Sequence, residues 1–324
     1  MNYFLTALAG VFGGVFFVLL LRGLSLRFKI LVPQGIPLIG GIAVYLSFII
    51  ASLAGFYLFG GFPQEAKGII IASFIMLVFG IIDDWKEFSV QAKFAVQIVA
   101  ISLLIFFGVK TQIVNIGTAV NIAVTFIWVL GISNAFNHLD VSDGVAGGTA
   151  LIVSLSFFAI SFLNGDVNNG VLALALASAI AGFLAYNLPP AKIYMGNSGS
   201  HFLGFILAAA AMGISYAPEE RKIALLSPIL ILGLPIFDTA FLIFMRVKQG
   251  RSMLKKSDDH LALRFIKSGH SKRKALLFML LIASFFSFCG ILISQVPSPF
   301  GIIIIIFAAS VTLLLTRKMG GILV

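Results

Sequence analysis

Two adjacent aspartates are the first residues along the chain whose types and spacing could do chemistry. Asp83 and Asp84 directly follow the apolar run Phe79-Gly80-Ile81-Ile82. Neighbouring carboxylates at a helix end repel each other, and a divalent cation or a lysine would relieve that repulsion. We therefore interpret the pair as a candidate cation site, with a solvated loop as the alternative.

A second polar stretch, residues 134–148, combines amides, acids and glycines. Asn134 and Asn137 offer the paired donors and acceptors that suit a nucleoside. Asp140 and Asp143 are candidate ligands of a metal or another cation, and the glycines allow a ligand to approach the backbone closely. The alternative is a capped, glycine-rich turn between two helices.

Three further segments are weaker candidates. Residues 194–201 place small side chains at the start of a predicted helix, where exposed N–H groups suit an anion or form a simple N-cap. Asp238 is expected inside the membrane boundary, either as a functional acid or as the partner of a basic side chain. The segment Ser257–His260 and Arg264 combine imidazole and guanidinium, as pyrophosphate sites do, although a run of charges is usually a solvated face.

The elements that must position these residues are membrane-spanning helices. Of the 324 residues, 60% are hydrophobic and 10% are charged, whereas an ordinary soluble domain has about 25% charged residues. This composition excludes a soluble enzyme, a secreted disulfide scaffold and a disordered chain. Because Cys289 is the single cysteine, no internal disulfide can form.

Runs of about 20 apolar residues predict an all-α, polytopic membrane protein with a single domain over residues 1–324. The apolar run at the N-terminus has no basic segment before it, so we interpret it as a spanning helix and not as a signal peptide. The eleven predicted spans are 3–22, 37–60, 67–82, 91–108, 118–137, 148–163, 169–187, 199–215, 223–245, 275–294 and 298–315.

Lysine and arginine are distributed unevenly between the two sides of this arrangement. With the N-terminus outside and the C-terminus cytoplasmic, 18 of the 22 basic residues are cytoplasmic, as the positive-inside rule requires. This bias explains the net charge of +10 without a nucleic acid as partner. Eight of the twelve acids fall on the same side, which predicts an active site at the cytoplasmic face. The long loop at about 246–274 either sets the topology or attracts anionic headgroups or a phosphorylated substrate.

In chain order, the motifs resemble those of the polyprenyl-phosphate N-acetylhexosamine-1-phosphate transferases, glycosyltransferase family 4. No single motif is decisive, but five of them in order at one face are specific, and an eleven-helix count fits the N-acetylglucosaminyl branch better than the ten-helix phospho-N-acetylmuramoyl-pentapeptide translocase. The matching segments are Pro37 to Gly41, Asp83-Asp84, Asn134 to Gly148, Met195 to Gly204 and Pro235 to Asp238.

The chain departs from the family pattern at three places. Asn197 stands where the family has an aspartate that binds magnesium, and an amide oxygen brings no charge, so metal binding is expected to weaken. A family motif of three histidines is reduced to His260, and Val141 replaces a glycine. Either the metal site is rebuilt around other acids or catalysis has been lost.

The resemblance implies transfer of N-acetylhexosamine 1-phosphate from a UDP-sugar to polyprenyl (undecaprenyl) phosphate, with release of UMP. It implies an enzyme in the bacterial inner membrane that starts the synthesis of an envelope glycan such as O-antigen, with membrane lipids as partners and a homodimer left open. The rival interpretations are an inactive family member that binds polyprenyl phosphate or scaffolds other enzymes, and a secondary transporter built around Asp238. The implied roles are orientation or deprotonation of the lipid phosphate by Asp83 or Asp84, nucleoside contacts from Asn134 and Asn137, substrate binding by Asp238, phosphate binding by His260 and Arg264, and Mg²⁺ or Mn²⁺ binding by Asn197 with Asp140 or Asp143.

Overall fold

The chain folds into helices packed side by side. The computed structural model describes residues 1–114, 116–216, 221–250 and 259–322, and these contain no strand. Single 3-10 turns lie at Pro33–Gly35 and Lys222–Leu226. The α-helices are α1 (Asn2–Phe28), α2 (Gly40–Phe59), α3 (Gln64–Trp85), α4 (Val90–Phe106), α5 (Gly117–Leu139), α6 (Val145–Leu163), α7 (Val167–Asn187), α8 (Gly196–Gly213), α9 (Ser227–Ile231), α10 (Gly233–Lys248), α11 (Leu261–Lys267), α12 (Lys272–Gln295) and α13 (Ser298–Gly320).

Among the described residues, eight helices are long and apolar enough to cross a membrane: α1, α2, α3, α5, α6, α7, α12 and α13. The two shortest predicted spans, 67–82 and 148–163, are helices of 22 and 19 residues. The helix α4 is apolar but has 17 residues, and α8 begins with a polar turn. The all-helical membrane class is therefore confirmed, whereas the count of eleven spans stays a prediction.

The predicted span 223–245 is not one straight helix. The chain bends by 70° between the segments Lys222–Ile231 and Gly233–Lys248. Pro235 has no N–H to donate back to Ile231, and its ring is disfavoured inside a continuous helix. A Cβ at Gly233 would lie 2.6 Å from the ring of Phe286, so the break also lets α12 approach closely.

The helix α8 lies at the centre of the bundle, and nearly all of its side chains are buried. Glycines let three other helices approach it. A Cβ at Gly41 of α2 would lie 2.2 Å from the backbone nitrogen of Gly199, and one at Gly80 of α3 would lie 2.4 Å from Cα of Ser198. A Cβ at Gly204 of α8 would lie 2.7 Å from a backbone atom of α5. These close approaches bring the ends of α2 and α3 to the first turn of α8.

We predict that Gly41→Ala destabilises the protein strongly, because the added methyl group would meet backbone atoms that cannot move independently. The matched control is Gly131→Ala in α5, where a Cβ would have no atom within 4 Å and alanine is the better helix former. The unfolding temperature in detergent is expected to fall for Gly41→Ala and to hold or rise for Gly131→Ala. Equal unfolding temperatures for the two variants would contradict this packing.

Candidate functional site

A cavity of about 580 Å³ lies at one end of the bundle. Here α3, α5 and α7 end, and α8 and α12 begin. Helix ends expose unpaired backbone N–H and C=O groups and allow polar side chains to face water. The cavity is lined by Leu38, Asp83, Asp84, Glu87, Asp140, Val141, Ser142, Asp143, Asn187, Tyr194, Met195, Gly196, Asn197 and Lys272.

The two adjacent aspartates have different surroundings. Asp83 is 3% exposed, and its Oδ1 accepts a hydrogen bond of 2.8 Å from the backbone N–H of Phe88. Its Oδ2 lies 2.6 Å from Nζ of Lys93. Both oxygens of Asp83 are therefore engaged, and the lysine compensates its charge.

Asp84 joins α3 to the start of α8. Its Oδ1 accepts a hydrogen bond of 2.7 Å from the N–H of Asn197, and its Oδ2 accepts one of 3.0 Å from the N–H of Ser198. Gly196 adopts a φ of +74°, and a Cβ there would lie 2.6 Å from Asp84 Oδ2. A carboxylate at a helix N-terminus satisfies free N–H groups and is favoured by the helix dipole.

Asp140 and Asp143 lie beside Asp84 in the loop between α5 and α6. Burial, together with the negative charges of Asp84 and Asp143, raises the pKa of Asp140 to about 7. Asp143 accepts a hydrogen bond of 3.3 Å from the N–H of Ala191, and Nζ of Lys272 lies 3.8 Å from its Oδ2. The sequence-predicted acids of two segments of the chain thus meet at one cavity, where their charges repel.

The amides predicted to bind a nucleoside are split between two places. Asn137 donates 3.0 Å hydrogen bonds to Oδ1 of Asn197 and to Oγ of Ser200, so it lies beside the cavity. Asn134 does not line the cavity, because its amide pairs with that of Gln97 at 3.2 and 3.3 Å. Nucleoside contact by Asn134 stays a prediction that its position does not favour.

Asp238 and His260 form a buried pair that does not line the cavity. Asp238 Oδ2 lies 2.8 Å from His260 Nδ1, and Oδ1 accepts a hydrogen bond of 2.8 Å from the N–H of Leu261. Among the described residues, the side chain that pairs with this acid is therefore the imidazole of His260. The ring of His138 lies 6.4 Å from that of His260, so the pair sits behind the end of α5. Ser257 and Asp258 of the same segment lie outside the described residues.

Arg264 anchors the end of the chain. It is 1% exposed, and its Nη1 donates to the backbone carbonyls of Met319 and Ile322. Its Nη2 pairs with Asp259, and the guanidinium lies over the ring of Phe241. Because Arg264 does not line the cavity, these contacts do not favour its predicted binding to a phosphate.

Two lysines near the carboxylates were not singled out from the sequence: Lys93 was counted only among the topology-setting charges, and Lys272 was included in the loop 246–274, for which a topology-setting role and binding of a phosphorylated substrate were both left open. Lys93 follows Asp83 by ten residues and reaches back to it from α4. Lys272 is the first residue of α12 and lines the cavity. The sequence offered a signal for the contact of Lys93, which lies one helical turn into the helix after the aspartate pair. It offered no such signal for Lys272, because that contact depends on the tertiary fold.

The donors around Asp140 suit a magnesium ion that is shared with substrate. Among the described residues, no group of three His, Cys, Asp or Glu side chains converges closely enough to hold a metal ion. Mg²⁺ nevertheless binds commonly through one or two carboxylates, several waters and substrate phosphates. The burial and the neighbouring negative charges that raise the pKa of Asp140, together with the nearby amide of Asn197, fit that mode of binding.

The comparisons with known proteins agree on one family. The family described as Glycosyl transferase family 4 matches residues 66–215. The chain is 31% identical over 270 residues to a probable undecaprenyl-phosphate N-acetylglucosaminyl 1-phosphate transferase of Bacillus subtilis, covering 80% of this chain and 74% of that protein. It is 32% identical over 292 residues to a decaprenyl-phosphate N-acetylglucosaminephosphotransferase of Mycolicibacterium smegmatis, covering 79% and 71%.

A third relative, which matches a shorter part of the chain, is also named as a transferase. The chain is 31% identical over 204 residues to a phospho-N-acetylmuramoyl-pentapeptide-transferase of Staphylococcus aureus, covering 55% of this chain and 62% of that protein. All three relatives are named as transferases. The comparisons therefore give no support to a transporter or to an inactive homologue.

We predict that the ionisation of Asp140 makes the metal-free protein less stable as pH rises. The pKa of Asp140 is raised in the folded state from 3.8 to about 7, so the folded protein holds this proton more tightly than the unfolded chain does. The stability that this proton confers is complete below pH 4 and is lost as pH rises through about 7. In EDTA, the unfolding temperature of Asp140→Asn should therefore exceed that of the wild type increasingly between pH 4 and 7.

The control for this experiment is Glu65→Gln, which removes an exposed acid from the opposite end of α3. Its unfolding temperature should follow that of the wild type at every pH. A constant difference between Asp140→Asn and the wild type across this range would contradict the raised pKa of Asp140.

Proposed function

The chain belongs to glycosyl transferase family 4, and from this membership we propose that it transfers N-acetylhexosamine 1-phosphate from a UDP-sugar to polyprenyl phosphate. The products are polyprenyl-diphospho-N-acetylhexosamine and UMP, and the reaction starts the synthesis of an envelope glycan such as an O-antigen or a teichoic acid. The names of the relatives favour UDP-N-acetylglucosamine as the donor. The observation that carries the proposal is the cavity where Asp84, Asp140 and Asp143 meet at one end of a membrane bundle.

We propose that this end of the bundle faces the cytoplasm of a bacterium, in the inner membrane. The described residues 259–274 of the basic loop, which include Arg264 and Lys272, lie at the same end, and the uneven distribution of lysine and arginine supports this orientation. Arg264 also contacts the backbone of Met319, so the C-terminal end of α13 lies on the cavity side. With α4, α8 and the bent pair α9–α10 counted as crossings, the chain crosses the membrane eleven times and its N-terminus lies outside.

The contacts of the two adjacent aspartates support different roles for them. The lipid phosphate is largely a dianion near neutral pH, because its second pKa is about 6, so attack on the diphosphate does not require a strong base. Asp83 is already paired with Lys93, so its role is structural. Asp84 lines the cavity and orients or deprotonates the lipid phosphate, since the lone pairs left beyond those that accept from Asn197 and Ser198 can accept a hydrogen bond from the P–O–H group of the monoanionic form.

The remaining residues bind and position the donor substrate. The terminal oxygen of the lipid phosphate forms a bond to the phosphorus that carries the sugar, and the bond between that phosphorus and the UMP oxygen breaks. Positioning and compensation of charge at the diphosphate provide most of the catalysis. Asn137 and Asn197 lie together at the N-terminus of α8, where their amides can bind the UDP-sugar.

Mg²⁺, or Mn²⁺ in its place, is the cofactor that we propose. Asp140 and Asn197 would hold it, with Asp143 nearby and with water and substrate phosphates as the other ligands. When bound, the ion neutralises charge on the diphosphate. Because Asn197 contributes an uncharged ligand, the affinity for the ion in the absence of substrate is expected to be low.

We predict that Asn197→Asp strengthens magnesium binding by adding a charged ligand. The Mg²⁺ concentration for half-maximal UMP release should fall by roughly tenfold, the size of effect expected for one added charge at a partly buried site. The increase in unfolding temperature on addition of Mg²⁺ should also be larger in the variant. An unchanged Mg²⁺ dependence in both measurements would remove Asn197 from the proposed metal site.

We predict that Asp84→Asn abolishes UMP release, because the amide cannot accept hydrogen bonds from both N–H groups at the start of α8 and brings no charge to the cavity. The loss should exceed about 100-fold in kcat, as for removal of other preorganised catalytic groups. Polyprenyl phosphate, UDP-N-acetylglucosamine and Mg²⁺ form the assay. Glu65→Gln should retain the wild-type rate, and a comparable rate for Asp84→Asn would exclude Asp84 from catalysis.

A further inference from the structure

Acidic side chains outnumber basic ones in the lining of the cavity, although the substrates proposed for it are anions. Among the described residues that line it, Lys272 is the one cation. Both proposed substrates carry phosphate groups, so entry into this cavity requires compensation of charge beyond the proposed metal ion. The acids that line the cavity are Asp83, Asp84, Glu87, Asp140 and Asp143.

Lys272 is held far more loosely than Lys93, the other lysine near these acids. Lys93 Nζ lies 2.6 Å from Asp83, whose side chain is wholly buried. Lys272 Nζ lies 3.8 Å from Asp143 Oδ2, beyond hydrogen-bond distance, and the Lys272 side chain is 60% exposed. An exposed ion pair of this kind contributes little to stability. Asp143 also accepts a hydrogen bond from the N–H of Ala191, so it remains anchored when the lysine moves.

A role in topology does not explain the position of Lys272. The first turn of α12 contains three basic residues in a row, Lys272, Arg273 and Lys274. Arg273 donates to the backbone carbonyl of Pro189, and Lys274 is exposed and does not line the cavity. Any of the three satisfies the positive-inside rule equally well, yet only the ammonium of Lys272 reaches the carboxylate cavity.

We propose that Lys272 is a substrate-binding residue that leaves Asp143 to contact a phosphate oxygen of a bound substrate. This inference rests on the proposed function and extends it, because it identifies a residue outside the five matched motifs. The shared ligand chemistry is a phosphate oxygen, supplied either by the diphosphate of the UDP-sugar or by the lipid phosphate. A lysine acts at such a site as a mobile point charge with three donors.

The test compares Lys272→Gln, Lys272→Arg and the matched control Lys274→Gln, which removes the same charge from the same helical turn. KM is measured for UDP-N-acetylglucosamine and for undecaprenyl phosphate separately, with Mg²⁺ present. Calorimetric titration with UDP supplies a readout that does not depend on turnover. Lys272→Gln should raise KM for one substrate by about tenfold or more, the value of a charge-assisted hydrogen bond. Lys272→Arg should retain most of the affinity, and Lys274→Gln should match the wild type.

The outcomes distinguish the two possible sources of the phosphate. They also distinguish failure of this inference from failure of the proposed function. A raised KM for the UDP-sugar with weaker UDP binding places Lys272 at the nucleotide diphosphate. A raised KM for the lipid with unchanged UDP binding places it at the lipid phosphate. If the wild type is active and Lys272→Gln matches Lys274→Gln in all three measurements, the inference is wrong while the proposed function stands. A wild type that neither releases UMP nor binds UDP overturns the proposed function, and the inference with it.

Discussion

The contact between Asp84 and the first turn of α8 is the interaction on which the site depends. One carboxylate accepts hydrogen bonds from two successive backbone N–H groups, at Asn197 and Ser198, and so fixes the end of α3 against the start of α8. The contact requires glycine at position 196, where φ is positive and a Cβ would meet the carboxylate. Gly41 and Gly80 allow α2 and α3 to approach the same turn. The cavity exists because these helix ends are held together.

The same convergence brings carboxylates together, and a bound cation would relieve the repulsion among them. Helices that end together bury Asp140 and bring it close to Asp84 and Asp143, so that burial, with the charges of those two acids, raises the pKa of Asp140. Asp83 adds less to this repulsion, since Lys93 pairs with it. A divalent ion shared with a diphosphate, together with Lys272, would supply the missing positive charge. Among the described residues, Asp83 pairs with a lysine whereas Asp84 accepts hydrogen bonds from backbone N–H groups, and the different roles proposed for them rest on this difference.

The sequence predicted the residues of the cavity well where a position at a helix end is enough to bring the residue there. It predicted them less well where the contact depends on a partner that is distant in sequence. Asp83, Asp84, Asp140, Asp143 and Asn197 stand at helix ends, and hydropathy alone places those ends at one face. Asn134 and Arg264 were assigned to substrate because their chemistry is suitable. Their partners, Gln97 and the backbone carbonyls near the C-terminus, lie far away in sequence, and no local pattern indicates them. The bend before Pro235 escaped prediction for another reason, because an apolar run looks continuous in hydropathy even where proline and glycine interrupt the helix.

The most direct test of the account is the dependence of UMP release on the lipid phosphate. Purified wild-type protein in detergent would receive UDP-N-acetylglucosamine and Mg²⁺, with and without undecaprenyl phosphate, and mass spectrometry would identify the lipid product. The account predicts UMP only in the presence of the lipid, in equal amount to undecaprenyl-diphospho-N-acetylglucosamine. Folded protein that forms neither product across a panel of UDP-N-acetylhexosamines would contradict it.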